Sequence, residues 1–385
     1  MSNIALLIPS LRHAGGAEKL VDSLTRLLSA GHHVVQISFD EPGAARYFAS
    51  EAEHVALGPV PRLPLALRWI TYVVLAWRLR RAKQAREIHL TISCLWGADL
   101  ISALSGGRDK KFALGLINVV GNPTNRLMIQ LRAVVAFVYR RFDRTLCISR
   151  SLADELAELY ELPSSRIGVF RNFLEVASPT YAFPNDGVRR YVFCGRMVHE
   201  KNVDGLLTVW AAFSCKREQR QLVVIGDGPL LSEMKTLAAV LGLSVGSHAG
   251  DSTSQVLFLG SLPQPQDFMV NAYAFLLPSR HEGVPTVLIL ALSLGLPILA
   301  ADCHAGGVRE TLELDPTAVA GRLLPIPEKN DPHTVNEWVA ALADFDDDNA
   351  QRDGYSSGAL KLAQAFDITN VREFWMMEIE MVLRR

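Results

Sequence analysis

SRHEGVPTVLILALSLGLPILAADCHAGGVRETL, residues Ser279–Leu312, is the stretch on which the reading of the fold turns. It places Glu282, Gly283 and Pro285 directly ahead of an apolar run, Val287–Leu292. A run with no polar face is a helix buried on every side. Gly295 and Pro297 end it, and Pro297–Ala300 is a short buried strand. A second glycine turn, Asp302-Cys303-His304-Ala305-Gly306-Gly307, then opens another helix. Turn, helix, strand, turn, helix in this order belongs to a parallel α/β sheet.

The same alternation extends outward in both directions. In the first half the strands are Ile4–Ile8, His33–Phe39, Ile88–Ile92, Phe112–Asn118 and Arg144–Ile148. A turn at Gly15-Gly16 opens a helix with Leu20, Leu24, Leu27 and Leu28 on one stripe, and Gly31 ends it. Val176–Arg189 (VASPTYAFPNDGVR) breaks the pattern and reads as a linker. The alternation restarts with strands Tyr191–Cys194, Gln221–Ile225, Val256–Leu259 and Ala274–Pro278. Helices fall near Val203–Phe213, Pro229–Leu241, Pro265–Asn271 and Pro285–Leu294, with a last one at Val371–Arg385. The chain's 385 residues exceed one ordinary core. Two Rossmann-like domains, 1–178 and 190–369, facing a cleft are therefore expected. Ligands bind such sheets outside the carboxyl ends of the strands. The turns after Ile225, Pro278 and Ala300 then share one rim.

Composition narrows the function. A net charge of −1 gives no global field to recruit nucleic acid. The cysteines, at 94, 147, 194, 215 and 303, are scattered and odd in number, against a disulfide framework or a structural zinc site. This points to a reduced, cytoplasmic setting. The opening MSNIALLIPSLRHAGG lacks a basic region and cleavage site and reads as a first strand. The most apolar run near arginines, Trp69–Trp77, is too short to span a bilayer.

Four glycine turns carry the chemistry. Gly195-Arg196-Met197-Val198-His199-Glu200-Lys201-Asn202 follows a strand and opens a helix, and Arg196 and Lys201 are the cations a diphosphate needs. The bland alternative, a solvated loop, is outweighed by its place on the rim. Gly226-Asp227-Gly228-Pro229 is a tight turn in which Asp227 is better read as structural. Glu282 can accept from two sugar hydroxyls, or merely favour the helix start, a dipole effect of about 0.3–1 kcal/mol; beside His281 on the rim, the ligand role is favoured. Gly15-Gly16 fits an anion-binding turn but lacks dinucleotide spacing. Two basic-aromatic stretches, Arg62–Arg86 and Arg126–Arg144, suit either contact with an anionic bilayer or two core helices with solvated arginine ends.

Together these motifs resemble the retaining GT-B glycosyltransferases of family 4, along nearly the whole chain. GRMVHEKN is similar to the family's G-R-x-x-x-E-K-N element, GDGP to its glycine turn, and SRHEGVP to the opening of its E-x7-E motif. DCHAGGVRETL is similar to the DCxSGxxEIL stretch of members using UDP-linked galactose or N-acetylhexosamines. CISRSLADEL and VFRNFLE match its serine helix and asparagine turn.

The resemblance implies a nucleotide-sugar donor domain at 190–369 and an acceptor-side domain at 1–178, with a helix at 370–385 crossing back to the latter. Arg196 and Lys201 would hold the diphosphate, and Glu282 with the backbone of Gly283, Val284 and Pro285 the donor sugar. Gly195 and Gly226 would bind the nucleotide-sugar donor from the same rim. Gly16 would approach the phosphate, and backbone from Gly260 to Leu262 would read the base. No metal or resident cofactor is implied. The expected function is retaining transfer of a hexose or N-acetylhexosamine from a nucleotide sugar, UDP-linked, to a glycan or lipid-linked saccharide in surface polysaccharide or lipopolysaccharide synthesis. The setting would be cytoplasmic, at the inner face of a membrane.

The chain departs from the pattern at Leu290, where the second acid of E-x7-E should hold the ribose. It also lacks the first-domain histidine, leaving Asn118 or Asn122 as the nearest polar residues. The alternatives these departures raise are a catalytically impaired member that binds a sugar nucleotide or a partner, and, more weakly, a nucleotide-sugar epimerase.

Overall fold

The computed structural model describes residues 1–12, 15–48, 50–59, 68–116, 132–173, 178–215, 217–303 and 306–384. It divides into two compact units, Met1–Phe173 with Asp367–Arg385, and Leu174–Phe366.

Among the described residues, the first unit is built on seven strands: β1 (Asn3–Ile8), β2 (His33–Ser38), β3 (Glu53–Ala56), β4 (Leu90–Cys94), β5 (Lys110–Gly115), β6 (Arg144–Cys147) and β7 (Ile167–Val169). All pair in parallel, in the order β3-β2-β1-β4-β5-β6-β7. Ile4–Ile8 is fully buried, as a central parallel strand covered on both faces must be. From β1 the chain moves one way, through helix Gly16–Ser29 to β2; from its neighbour β4 it moves the other way, through helix Trp96–Ser105 to β5. That reversal is the unit's switch point.

The last helix, Ile368–Leu383, belongs to this first unit, as expected. Asp367 caps it, accepting from the Thr369 amide at 2.8 Å. Trp375 is fully buried beside Phe170, ring centroids 5.5 Å apart. Arg144, at the start of β6, donates to both Glu378 oxygens at 2.8 and 2.6 Å. A helix whose stripe needed a partner surface thus finds it across the whole length of the sequence.

The second unit repeats the plan with β8 (Arg189–Cys194), β9 (Arg220–Ile225), β10 (Val245–Gly246), β11 (Val256–Gly260), β12 (Ala274–Leu277), β13 (Ile298–Ala301) and β14 (Gly321–Leu324). Their order is β10-β11-β9-β8-β12-β13-β14, again all parallel. Alternate side chains feed two cores. Tyr191, Phe193 and Val224 pack with Trp210 and Trp338 on one face. Val192, Val223 and Ile225 pack with Leu288–Leu292 on the other.

Several expected boundaries move. The strand placed at Ile88–Ile92 begins at Leu90. The amide of Ile88 instead closes the preceding helix on the Lys83 carbonyl at 3.1 Å, with Glu87 in the left-handed region. The strand placed at Phe112–Asn118 ends at Gly115, and Asn118 lies outside the described residues. The segment 176–189 is only partly a linker. Arg189 already opens β8, and Thr180 donates from its amide and hydroxyl to Asp267, each at 2.8 Å. Residues 174–177 lie outside the described residues.

At the edge of the second sheet where β8 and β9 begin, one carboxylate gathers four donors. Asp346, on helix Pro332–Asp347, is almost fully buried. It accepts from Arg189 (2.9 Å), Arg217 (2.6 Å), Arg220 (2.8 and 2.9 Å) and the Tyr191 hydroxyl (2.9 Å). Burial alone would raise its pKa; Arg220, Arg189, Tyr191 and Arg217 overcome this and hold it down to about 2.

An unfolded aspartate titrates near 3.9. The contribution of Asp346 is therefore present above pH ~4 and is lost as pH falls through about 2. Asp346→Asn is expected to destabilise the protein at pH 7 by roughly 1.5–3 kcal/mol, since it removes charge-assisted bonds from three half-buried arginines. It should also flatten the loss of stability between pH ~4 and ~2. Denaturant unfolding of both proteins across that range checks this; an acid limb identical in the two would remove Asp346 from the account.

Candidate active site

β8 and β12 are neighbours, and the chain leaves them in opposite directions, toward β9 and β13. This is the switch point of the second sheet, and two of the sequence-predicted turns, 195–202 and 278–285, rise from it. Their approach is set by backbone. Gly195 donates to the Ile225 carbonyl at 2.9 Å, and Met197 to the Asp227 carbonyl at 2.9 Å. Gly226 has φ +136, and a Cβ there would fall 1.9 Å from the Gly195 oxygen. Only glycine fits. Asp227 accepts from the Gly228 amide at 2.7 Å, which is the structural role expected of it.

Asn202 joins the two turns. It is fully buried, with φ +53, and its Nδ2 donates to the carbonyls of Pro278 (3.0 Å) and Pro327 (3.1 Å). Arg280 adds a second clasp. Its amide donates to the Glu200 carbonyl at 2.8 Å, and its guanidinium to the His199 carbonyl at 3.0 Å, Asp204 at 3.3 Å and Glu328 at 3.1 Å. Burial would raise the Asp204 carboxyl, but Arg280 and Lys329 hold it below its ordinary range. These charges border a cavity of about 610 Å³ lined also by Met197, Leu230 and Met234. Arg280 and Lys329 are both paired there, so neither is a free cation for an anionic ligand.

On the other side of the clasp, Lys201 and Glu282 form an ion pair through Glu282 Oε1. Ser279 Oγ donates to the same oxygen at 2.7 Å. Glu282 is buried and Lys201 half-buried. Among the described residues Oε2 has no such partner, so one carboxylate oxygen is filled and the other is open. Arg196 is exposed and has no side-chain partner among the described residues. His281 Nε2 is buried and also without one.

Gly283, Val284 and Pro285 lead into helix Thr286–Ser293, with Pro285 as its cap residue. The next turn buttresses them. Gly307 lies so close that a Cβ would meet the Gly283 oxygen at 2.0 Å, and Cys303 Sγ approaches the Glu282 carbonyl at 3.9 Å. Asp302 is taken up by Arg309 at 3.1 and 2.5 Å. His304 lies outside the described residues. Leu290 is 5% exposed and packs within the core beneath this helix.

Leu262 is half-buried and packs on the same core, following Gly260, whose carbonyl accepts from the Gly226 amide at 2.7 Å. Gly16 stands in the first unit, where helix Gly16–Ser29 follows β1. The Glu18 carboxylate lies against Gly15 there, since a Cβ on Gly15 would meet Oε2 at 2.1 Å. Asn122 lies outside the described residues.

The second unit thus brings Gly195, Arg196, Lys201, Glu282, Gly283, Val284 and Pro285 to the turns of one switch point. Sequence reasoning missed the positioning roles of Ser279, Asn202 and Arg280. Asn202 and Arg280 were visible only as members of larger motifs. Their partners are carbonyls and acids far along the chain, which no local pattern marks.

The sequence pattern described as Glycosyl transferases group 1 matches residues 188–344, and that described as Glycosyltransferase Family 4 matches residues 14–178. A Haemophilus influenzae protein described as an uncharacterized glycosyltransferase is 23% identical over 323 residues, covering 81% of this chain and 84% of that protein. Two solved structures share the fold. Anabaena HepE in complex with UDP superposes with a TM-score of 0.73 at 16% identity, over 99% of this chain and 100% of that one. The apo form of the lipopolysaccharide outer core galactosyltransferase WaaB gives 0.70 at 16% identity, over 98% and 99%. With one family pattern on each unit and two parallel sheets of this order, the chain belongs to the family 4, group 1 glycosyltransferases and has their GT-B fold.

Proposed function

We propose that this glycosyltransferase moves a hexose or N-acetylhexosamine from a UDP-linked donor to a saccharide acceptor, retaining the anomeric configuration and using no metal. The second unit is the donor side and the first the acceptor side. The observation that carries the reading is the Lys201–Glu282–Ser279 cluster at the switch point, with Arg196 exposed beside it. A carboxylate with one oxygen filled and one open can accept sugar hydroxyls. An exposed guanidinium with no partner among the described residues and a half-buried ammonium are suited to a diphosphate. The UDP bound by HepE supports uridine as the base, and WaaB supports a surface-polysaccharide acceptor.

In this scheme the bond between the anomeric carbon and the donor phosphate breaks while the acceptor oxygen bonds to the same face. The acceptor proton passes to the departing phosphate oxygen, so no separate base is required. Negative charge grows on that phosphate, and Arg196 and Lys201 stabilise it. Gly195 and Gly226 let the backbone come close, Glu282 and the Gly283–Pro285 backbone hold the sugar, Leu262 and its turn meet the base, and Gly16 of the first unit is the candidate backbone contact for the phosphate there.

A panel of nucleotide sugars read by thermal shift tests the donor, because ligand at 100 times its Kd adds about 2.7 kcal/mol. No shift with any UDP-sugar would defeat the reading. Arg196→Ala is expected to lower kcat by about 10²–10³ with thermal stability unchanged, since Arg196 is exposed. Lys201→Ala should lower both kcat and stability, because it strands the buried Glu282. Wild-type turnover in Arg196→Ala would remove it from the phosphate site.

Leu290→Glu is expected to destabilise the protein by about 3 kcal/mol or more rather than tighten donor binding, because it puts a carboxylate into an apolar core. Unfolding and UDP titration of the same sample distinguish the outcomes; a stable variant with higher UDP affinity would show that the position still faces a ribose pocket.

A further inference from the structure

The first unit carries a surface that the transfer chemistry leaves unused. Two segments of its sequence, His54–Arg86 and Lys110–Phe142, contain no acid over 33 residues each, while holding seven and six Lys or Arg. Lys83, Arg86, Lys110 and Lys111 are paired with Asp109, Glu53 and Asp143, whereas Arg80, Arg81, Arg132 and Arg141 are exposed and are the cations this surface offers. Each segment contributes a helix, Arg68–Ala85 and Arg132–Tyr139, and both pack against helix Trp96–Ser105. The connections β3 to β4 and β5 to β6 step the same way along the sheet. Right-handed crossovers therefore place these helices on one face.

The inner side of helix Arg68–Ala85 is accounted for, because Leu75, Ala76 and Leu79 fill the core. Its outer side is apolar as well. Trp69, Val73 and Trp77, at i, i+4 and i+8, are 61%, 54% and 52% exposed, with Tyr72 beside them. On the second helix Val134 and Phe137 are exposed. Arginines border both patches: Arg81 lies over the Trp77 ring at 4.2 Å and Arg141 over the Phe137 ring at 3.7 Å. Arg80 and Arg140 are exposed too, the latter 3.3 Å from Glu161.

We propose that this face docks on an anionic lipid bilayer, with helix Arg68–Ala85 lying in the headgroup plane. Tryptophan and tyrosine favour that depth. Basic side chains near an anionic surface attract it, and an amphipathic helix that lies flat needs both features on one side. Among the described residues no helix is long and apolar enough to cross the membrane, so the contact is a surface one. Charge selects lipid over a second copy of this chain. A twofold pairing of this face would set arginine against arginine with no acid from either helix to answer it. The helix precedes β4, so its Trp69 end lies at the carboxyl edge of the sheet, where the switch point is. Docking therefore holds that edge beside the bilayer. Resting on the function proposed above, the acceptor is then a saccharide carried on a membrane lipid.

Flotation with phosphatidylcholine vesicles, with and without phosphatidylglycerol, tests the docking without requiring transfer, so its failure is separate from failure of the glycosyltransfer reading. The full chain should bind only the anionic vesicles and be released by salt. Trp69→Ser with Trp77→Ser should weaken binding about tenfold or more. Arg80→Gln with Arg81→Gln should weaken it about 30-fold and flatten the salt dependence. Both double variants should unfold at the wild-type temperature and keep wild-type turnover on a water-soluble acceptor. No flotation at low salt overturns the proposal. So does equal flotation by wild type and variants, or a vesicle-independent dimer that the tryptophan variant abolishes.

Discussion

The geometry of the turns at the second unit's switch point depends on one buried amide. Asn202 takes a left-handed backbone conformation and donates to the carbonyls of Pro278 and Pro327. Both are loop carbonyls that strand pairing does not satisfy, and leaving either buried without a donor costs about 1–3 kcal/mol. The same side chain therefore satisfies the loops after β12 and β14 and fixes where the turn after β8 ends. The neighbouring helix accommodates it through Gly205, where a Cβ would fall 2.7 Å from Asn202 Oδ1 and 2.1 Å from the Pro327 oxygen. Without this staple, the ends of β8 and β12 would set only where the two turns begin.

On that frame, the basic residues of the second unit divide by whether a carboxylate already holds them. Arg189, Arg217 and Arg220 share Asp346 at the edge where the strands begin, and Arg280 is shared between Asp204 and Glu328. These groups set shape. Lys201 is paired but only half-buried, and Arg196 is exposed. A charge whose partner is already supplied has little to gain from a ligand, whereas an exposed arginine retains all five donors. This asymmetry ranks Arg196 ahead of Arg280 as a proposed phosphate contact, although both sit on the same switch point.

Much of this was legible in the sequence for a simple reason. Central parallel strands are buried on both faces, so they appear as continuous apolar runs such as Ile4–Ile8 and Tyr191–Cys194, and glycines mark the turns between them and the helices. Strands β3, β7, β10 and β14 did not announce themselves. They lie at sheet edges, are two to four residues long and are largely half-exposed, so their composition resembles loop. The boundary at Leu90 was misplaced because Ile88 is apolar but spends its amide on closing a helix.

By itself, the sequence determined the doubly wound plan, the two units' family and the glycine turns at the strand ends, because glycine, proline and apolar period act locally. Tertiary structure decided the rest. It paired Lys201 with Glu282, gave Asn202 and Arg280 their positioning roles, and packed Leu290 into the core at the place where the family pattern expects an acid. It also separated the core side of helix Arg68–Ala85 from its exposed tryptophans, a distinction invisible in a segment apolar on both sides. Each depends on partners many residues away, and a side chain's chemistry follows from what the fold sets beside it.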